Sequence, residues 1–166
     1  IAILYRSNSQ GAVFEVELKR LGVPFRITGG TGFFDRKEVK DWLAYLRCSL
    51  RPNEIAFRRI VNTPNRGIGE QTLSQIEEYA EANKVTLFQG AKNWREIGVS
   101  ETAGQSLDEL FSELAKLKEE ILCPSTQASS QRLQTAMIRI GYRRYLDKYS
   151  KNPQASEFRW RMLEVL

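Results

Sequence analysis

The sequence predicts a mainly α-helical fold preceded by a short strand, helix, strand (βαβ) piece. Two observations carry this prediction. Apolar residues recur at helical spacing through most of the chain after residue 32, whereas residues 1–27 contain two short apolar runs with a helical pattern between them. With 166 residues and 42% hydrophobic residues, the chain can bury one real core, and it suits one domain or one domain plus part of another.

The first predicted elements are two strands and the helix between them. Residues 1–5 (I-A-I-L-Y) form a continuous apolar run that is typical of a buried parallel strand. A helical apolar pattern follows and ends at Gly22, and residues 23–27 read as a second strand. One βαβ unit cannot bury both faces of its sheet, so we expect residues 1–28 to be the edge of a larger domain. The chain starts at Ile1 rather than Met, and we expect it to be an excised piece.

The glycine-rich stretch T-G-G-T-G at residues 28–32 predicts a boundary or hinge, and only helices are predicted after it. Asp35 and Glu38 have the spacing of a capping box for the first of these helices. Further helices are predicted around residues 39–46, 56–61, 73–80, 107–121, 133–140, 142–149 and 158–163. No internal repeat is visible.

Residues 60–73 (I-V-N-T-P-N-R-G-I-G-E-Q-T-L) interrupt this helical pattern. Pro64 and two glycines are incompatible with a continuous helix, while the flanking apolar residues anchor both sides. The stretch therefore predicts a helix, a tight hairpin and a second helix.

A glycine corner that opens a helix leaves backbone N–H groups free to bind an anion, and here those of Gly67, Gly69 and Glu70 would point outward. Arg66 and the hydroxyl of Thr72 would add donors for a phosphate. This arrangement resembles the helix-hairpin-helix element, which binds the DNA backbone without reading sequence. The alternative is a turn in which the glycines only allow two helices to pack.

The charge distribution fits a protein with one face toward a polyanion. The net charge is +5, with 12 Lys/Arg against 7 Asp/Glu in residues 1–73, 5 against 10 in residues 74–122, and 8 against 3 in residues 123–166. Solvated helix faces would explain the same pattern.

The cysteine and histidine content limits the possible chemistry. The chain has no His and only Cys48 and Cys123, without a C-x-x-C pair, which excludes zinc sites and His-based catalysis.

No run approaches the ~18 apolar residues of a membrane span, and no signal peptide is visible. We therefore expect a cytoplasmic protein with no membrane partner.

Three strings in this order and spacing resemble the Rep/UvrD/PcrA family of superfamily-one DNA helicases: I-A-I-L-Y-R-S-N-S-Q, G-G-T-G-F-F-D-R-K-E-V-K-D-W-L-A-Y-L-R and the hairpin string. The first resembles helicase motif IV, and the others resemble the start of the accessory domain called 2B. Thr31 and residues 142–157 are most similar to the Rep branch. The resemblance implies a partial RecA-like 2A motor domain at residues 1–28 and a helical 2B domain with a helix-hairpin-helix element at residues 29–166.

In motif IV of this family, the Tyr stacks on the adenine of ATP and the Arg reaches the γ-phosphate. These roles would fall to Tyr5 and Arg6, and Gln10 also matches the pattern. Gly11-Ala12 departs from the Ser-Arg of many members, so no role is transferred to a second Arg. Tyr5 could instead only end a buried strand, and Arg6 could form a surface ion pair.

For the 2B domain, the resemblance implies contact with the backbone of duplex DNA ahead of the fork. The residues concerned are Thr63, Arg66, Gly67, Ile68, Gly69 and Thr72. Gly29 and Gly30 would form the hinge on which 2B swings between open and closed forms.

The sequence contains neither a G-x-x-x-x-G-K-[ST] phosphate loop nor an acidic pair for magnesium. We therefore expect ATP and magnesium only in a full-length parent, an ATP-dependent 3′–5′ DNA helicase of replication and repair, and neither bound to this fragment. The implied partners are duplex and forked DNA, domains 1A, 1B and 2A, and replisome proteins, in the nucleoid of a bacterial cytoplasm. The alternative is a protein-interaction and autoregulatory module with no direct DNA contact.

Tyr142, Tyr145 and Tyr149 recur at helical spacing among basic residues. An aromatic stripe of this kind is more often core than a base-stacking surface, so no base contacts are predicted for them. The basic residues beside them are candidate phosphate contacts.

Overall fold

The computed structural model describes residues 1–6, 8–28, 32–123 and 129–164. The part of the chain that it describes is mainly helical, as predicted. The helices are α1 (Asn8–Arg20), α2 (Lys37–Leu50), α3 (Glu54–Ile60), α4 (Glu70–Ala82), α5 (Leu87–Lys92), α6 (Trp94–Ile97), α7 (Glu101–Leu122), α8 (Ser129–Arg139), α9 (Tyr142–Tyr149) and α10 (Pro153–Glu164), with a 3-10 helix at Phe33–Asp35 before α2. None of the helices within these ranges is long and apolar enough to cross a membrane.

Of the predicted βαβ piece, only the helix is formed. Residues 1–5 and 23–27 are irregular, and no backbone hydrogen bond among the described residues pairs one segment with the other. A strand is stabilised by its ladder to a neighbouring strand, and the described residues offer no such neighbour. The apolar side chains of Ile1 and Leu4 accordingly lie exposed instead of in a sheet core.

Helix α2 lies at the centre of the core and packs against α3, α7 and α10. Its buried Asp41 joins three helices, because its two carboxylate oxygens accept hydrogen bonds from Arg59 Nε of α3 and the Tyr142 hydroxyl of α9, each at 2.7 Å. Burial, and then the charge of Asp41, raise the pKa of Tyr142 well above its usual value. A buried carboxylate is tolerated here because both oxygens are paired.

Helix ends follow the capping rules in several places. The side chains of Asn53 and Ser100 accept N–H bonds at the starts of α3 and α7, and Thr86 forms a capping box with Gln89 on α5. The capping box predicted from Asp35 and Glu38 is wrong. Asp35 lies in the 3-10 helix and pairs with Lys40 at 3.0 Å, which leaves Arg36 as the N-cap of α2 without a side-chain cap.

The predicted hinge residues Gly29 and Gly30, with Thr31, lie outside the described residues. On either side of them, α1 contacts the 3-10 helix directly. The buried Glu15 carboxylate accepts the Phe33 N–H at 2.9 and 3.0 Å, and Lys19 Nζ lies 4.2 Å from the centre of the Phe34 ring. The two predicted parts of the chain are therefore in contact.

Gly104 of α7 provides a test of the packing between α7 and α6. A Cβ there would lie 2.2 Å from the ring of Trp94, which is itself held by a 3.1 Å bond from its Nε1 to Asp108. Alanine gains about 1 kcal/mol in helix propensity, but overpacking costs about 1–3 kcal/mol, and this ring has little freedom to move. We expect Gly104→Ala to lower the free energy of unfolding measured in urea.

The matched control for this change is Ser112→Ala at an exposed position of the same helix. It changes helix propensity without meeting a neighbouring ring, so we expect stability equal to or slightly above that of the wild type. Equal stability of Gly104→Ala and the wild type would show that the ring does not limit this site.

Candidate nucleic-acid interface

The turn between α3 and α4 occupies residues 61–69 and is anchored from within. The side chains of Val61 and Ile68 are buried in the core. The Thr63–Pro64 peptide bond is cis, and Gly67 has a φ of 74°, a conformation that favours glycine. Helix α3, this turn and helix α4 therefore follow one another along the chain, with apolar residues fixing both arms of the turn.

The guanidinium of Arg66 points into the protein. Its Nη1 donates to the carbonyls of Ile60 and Pro64 at 3.1 and 3.0 Å, and its Nη2 donates to the Tyr45 hydroxyl at 2.6 Å. Its backbone N–H donates to Asn62 Oδ1 at 2.7 Å. Arg66 therefore holds the turn in shape, and its guanidinium does not project from the hairpin as a free phosphate ligand.

Tyr45 of α2 is the residue that the sequence reasoning missed. Its fully buried hydroxyl donates to the Thr63 carbonyl at 2.6 Å and accepts the bond from Arg66. Burial raises the pKa of Tyr45 to about 12, against the opposing effect of Arg66. Tyr45 lies three residues after Trp42, on the apolar stripe of α2, which predicts that its ring is buried. Because a buried phenol needs a hydrogen-bond partner, this position could have indicated a polar link from α2 to a neighbouring segment.

The outer side of the turn presents backbone groups. Gly69 is the N-cap of α4 and provides no side-chain cap, and no described residue accepts a bond from the N–H of Gly69 or Glu70. The Gly67 N–H is bonded to Asn65 Oδ1 at 2.9 Å. Gly67 and Gly69 are exposed, and a Cβ on either would meet nothing within 4 Å. A ligand can therefore approach the Gly69 and Glu70 amides closely.

The six residues predicted for DNA binding thus divide into two groups. Gly67, Gly69 and the half-buried Thr72 lie at the outer surface of the turn and the first turn of α4. Arg66, Ile68 and the Thr63 carbonyl are engaged with the protein interior.

Cations near the hairpin are balanced by carboxylates. Arg58 of α3 pairs with Glu54 at 2.8 Å and with Glu77 of α4. A groove beside Arg66 is lined by residues of α7 and α8, where Arg139 binds Glu113 and Glu120. Any attraction for an anion at the turn itself therefore comes mainly from backbone dipoles and from the start of α4.

The motif IV residues lie together at the start of α1. The Arg6 N–H donates to Gln10 Oε1 at 3.1 Å, and the Arg6 side chain is exposed. The half-buried Tyr5 ring lies against Gly11, where a Cβ would come within 2.4 Å of it. The glycine that departs from the family pattern thus makes room for the Tyr5 ring.

Residues 1–156 match the family described as UvrD-like helicase C-terminal domain. The chain belongs to the UvrD-like helicases. The resemblance noted in the sequence is therefore confirmed at the level of the family.

Three relatives among the UvrD-like helicases illustrate the match. The chain is 36% identical to the ATP-dependent DNA helicase Rep of Escherichia coli over 171 residues, covering 99% of this chain and 24% of the relative. It is 49% identical to the ATP-dependent DNA helicase PcrA of Bacillus subtilis over 109 residues, covering 65% and 15%. It is 42% identical to DNA helicase II of Escherichia coli over 120 residues, covering 69% and 17%. The chain thus spans a quarter or less of the length of these relatives.

Tyr45→Phe tests the hydroxyl that links α2 to the hairpin. The change leaves the Thr63 carbonyl and one Arg66 N–H without their buried partner, so we expect a loss of about 1–3 kcal/mol in the free energy of unfolding. Urea unfolding followed by tryptophan fluorescence measures it. Tyr149→Phe is the control, because that hydroxyl is exposed and bonds to none of the described residues, and it should leave stability unchanged. A similar effect of both changes would contradict the bridging role.

The pKa of Tyr45 also predicts a pH dependence. Because folding raises this pKa from 10 to about 12, the folded chain holds the proton more tightly than the unfolded chain. The associated stability is fully present below pH 10 and is lost as the pH rises through 12, by about 1.4 kcal/mol per pH unit in this window. The free energy of unfolding should therefore fall more steeply there for the wild type than for Tyr45→Phe, and parallel profiles would contradict the prediction.

Proposed function

We propose that residues 29–166 form the 2B accessory domain of an ATP-dependent 3′–5′ DNA helicase, and that their hairpin binds the backbone of duplex DNA near a fork during replication or repair. The observation that carries this proposal is the pair of amides of the exposed residues Gly69 and Glu70, at the uncapped start of α4, whose N–H groups bond to none of the described residues. A phosphate oxygen is the natural acceptor for such groups. The relatives Rep and PcrA are named as ATP-dependent DNA helicases, which supports the setting.

In this proposal the hairpin residues have two roles, contact with the phosphate backbone and support of the turn. Gly67 and Gly69 keep side chains away from the approaching backbone, and Thr72 supplies a hydroxyl donor within the first turn of α4. Arg66, Ile68 and Tyr45 hold the turn in the shape that aims the amides outward. Contacts to phosphate alone carry no base information, so binding is independent of sequence and depends strongly on salt.

Residues 1–28 are proposed to be part of the 2A motor domain, whose strands would pair with strands elsewhere in the parent. Tyr5, Arg6 and Gln10 lie close enough together to contribute one side of an ATP site, with the ring of Tyr5 for the base and the exposed Arg6 for the phosphates. The phosphate loop and the magnesium ligands would come from other parts of the parent. The fragment by itself should therefore not hydrolyse ATP.

The proposed hinge at Gly29 and Gly30 would let 2B change its orientation relative to domains 1A, 1B and 2A. The proposed setting is a bacterial nucleoid, where replisome proteins are further candidate partners.

The second candidate function is a protein-interaction and autoregulatory module without direct DNA contact. The observation in its favour is that the guanidinium of Arg66 is bonded to groups within the protein, so this cation of the turn is not free to bind a phosphate. The acidic composition of residues 74–122 also suits a basic partner better than DNA.

Two substitutions at Glu70 separate these functions. Glu70 is the first residue of α4, where proline is tolerated, and the extended backbone of Gly69 (φ −86°, ψ 180°) suits the residue before a proline. Glu70→Pro removes the carboxylate and the N–H, whereas Glu70→Ala removes the carboxylate and keeps the N–H. If the amide binds phosphate, Glu70→Ala should bind forked duplex as tightly as the wild type or more tightly, and Glu70→Pro should bind about 5- to 10-fold more weakly than Glu70→Ala.

Fluorescence anisotropy with a labelled forked duplex at several salt concentrations measures this difference, after circular dichroism has shown equal helix content. Equal binding by the two variants would remove the amide mechanism. No binding by the wild type at low salt would favour the interaction module.

A further inference from the structure

Helix α9 carries an aromatic surface that the hairpin does not use. Tyr142 faces the core and bonds to Asp41, but Tyr145 is half-buried and Tyr149 is 50% exposed. The rings form a row, with centroids 5.3 Å apart from Tyr142 to Tyr145 and 4.7 Å apart from Tyr145 to Tyr149. The core interpretation of this tyrosine stripe is thus correct for Tyr142 and does not hold for Tyr149.

Three exposed cations accompany these rings. Lys37 of α2 donates from Nζ to the Tyr145 hydroxyl at 2.5 Å, and Lys148 Nζ lies 5.5 Å from the centre of the Tyr149 ring. Arg144 is exposed one residue before Tyr145. Lys37, Arg144 and Lys148 form no ion pair with any carboxylate of the described residues. Arg143 of the same helix does form one, as do Arg58 and Arg139 elsewhere on the protein.

The acidic side chains of α2 and α9, the two helices that carry this surface, are paired or buried. Asp147 of α9 binds the Ser156 hydroxyl at 2.5 Å and lies 3.6 Å from Arg143. Asp41 and Glu38 of α2 are buried beneath the surface, and Asp41 is paired with Arg59 and Tyr142. The exposed face is therefore positive beside two accessible rings.

We propose that Lys37, Arg144, Tyr145, Lys148 and Tyr149, the α9 surface, bind single-stranded nucleic acid. The cations contact phosphates, and an unpaired base stacks on the Tyr149 ring, which needs no particular base because every base has a flat π face. A duplex would keep its bases stacked on each other and leave the ring unused, which is why a single strand is the better fit. This inference does not depend on the hairpin and adds a second surface to the proposed function.

The first test compares two double variants that remove the same charge. Arg144→Ala with Lys148→Ala removes two cations of the α9 surface, while Arg47→Ala with Lys118→Ala removes two exposed cations of α2 and α7 that also form no ion pair with a described residue. The probe is a fluorescent oligo(dT), with anisotropy measured over a series of salt concentrations. The slope of log K against log salt is negative, and we expect its magnitude to decrease by about 1.4 for the α9 variant and to stay near the wild-type value for the control. Equal slopes for the two variants, or no oligo(dT) binding by the wild type, would overturn the proposal.

The second test separates stacking from charge. Tyr149→Ala should weaken oligo(dT) binding about tenfold, while Tyr149→Phe, which keeps the ring, should bind like the wild type. Unchanged binding by Tyr149→Ala would overturn the assignment of a base to this ring.

The hairpin variant Glu70→Pro distinguishes the two surfaces. It should retain wild-type affinity for oligo(dT), even though the proposed function predicts weaker binding of forked duplex. Loss of both activities in this variant would contradict a separate α9 surface.

Discussion

The hydroxyl of Tyr45 connects the central helix to the hairpin, and the shape of the hairpin depends on it. It satisfies the Thr63 carbonyl and one N–H of Arg66, and Arg66 in turn binds the carbonyls of Ile60 and Pro64. Three backbone carbonyls, a phenol hydroxyl and a guanidinium that would otherwise be poorly solvated are thus paired with one another in a partly buried network. The glycine backbone can face solvent because this network fixes the turn from the inside.

Periodicity predicted the longer helices of the second part, because apolar stripes such as those of α2 and α7 are regular. It missed α5 and α6, which have only six and four residues and are too short to show a helical period. The turn at residues 61–69 followed from Pro64 and its glycines. The strands at residues 1–5 and 23–27 were not formed, because an apolar run shows that a strand can be buried but cannot supply its partner. The N-cap of α2 was misplaced because a 3-10 helix took up Asp35.

The candidate site was harder to predict than the fold. Motif spacing located the turn, but it could not show where a long side chain points, and Arg66 turned inward to partners on the turn and on α2. Tyr149 shows the opposite case. Its helical spacing from Tyr142 is typical of a core position, but Tyr142 is buried whereas Tyr149, two turns later, is half-exposed. Side-chain direction depends on tertiary neighbours that no local pattern encodes.

The bond between Glu15 and the Phe33 amide has a consequence for motion. A buried carboxylate oxygen that loses its N–H donor must be rehydrated, so pulling α1 away from the 3-10 helix is resisted until water replaces the Phe33 amide at Glu15. The contact of Lys19 with the Phe34 ring would be lost in the same step, while its ion pair with Glu15 within α1 would remain. The contacts between residues on the two sides of the glycine stretch therefore favour one relative orientation of the first helix and the helical domain.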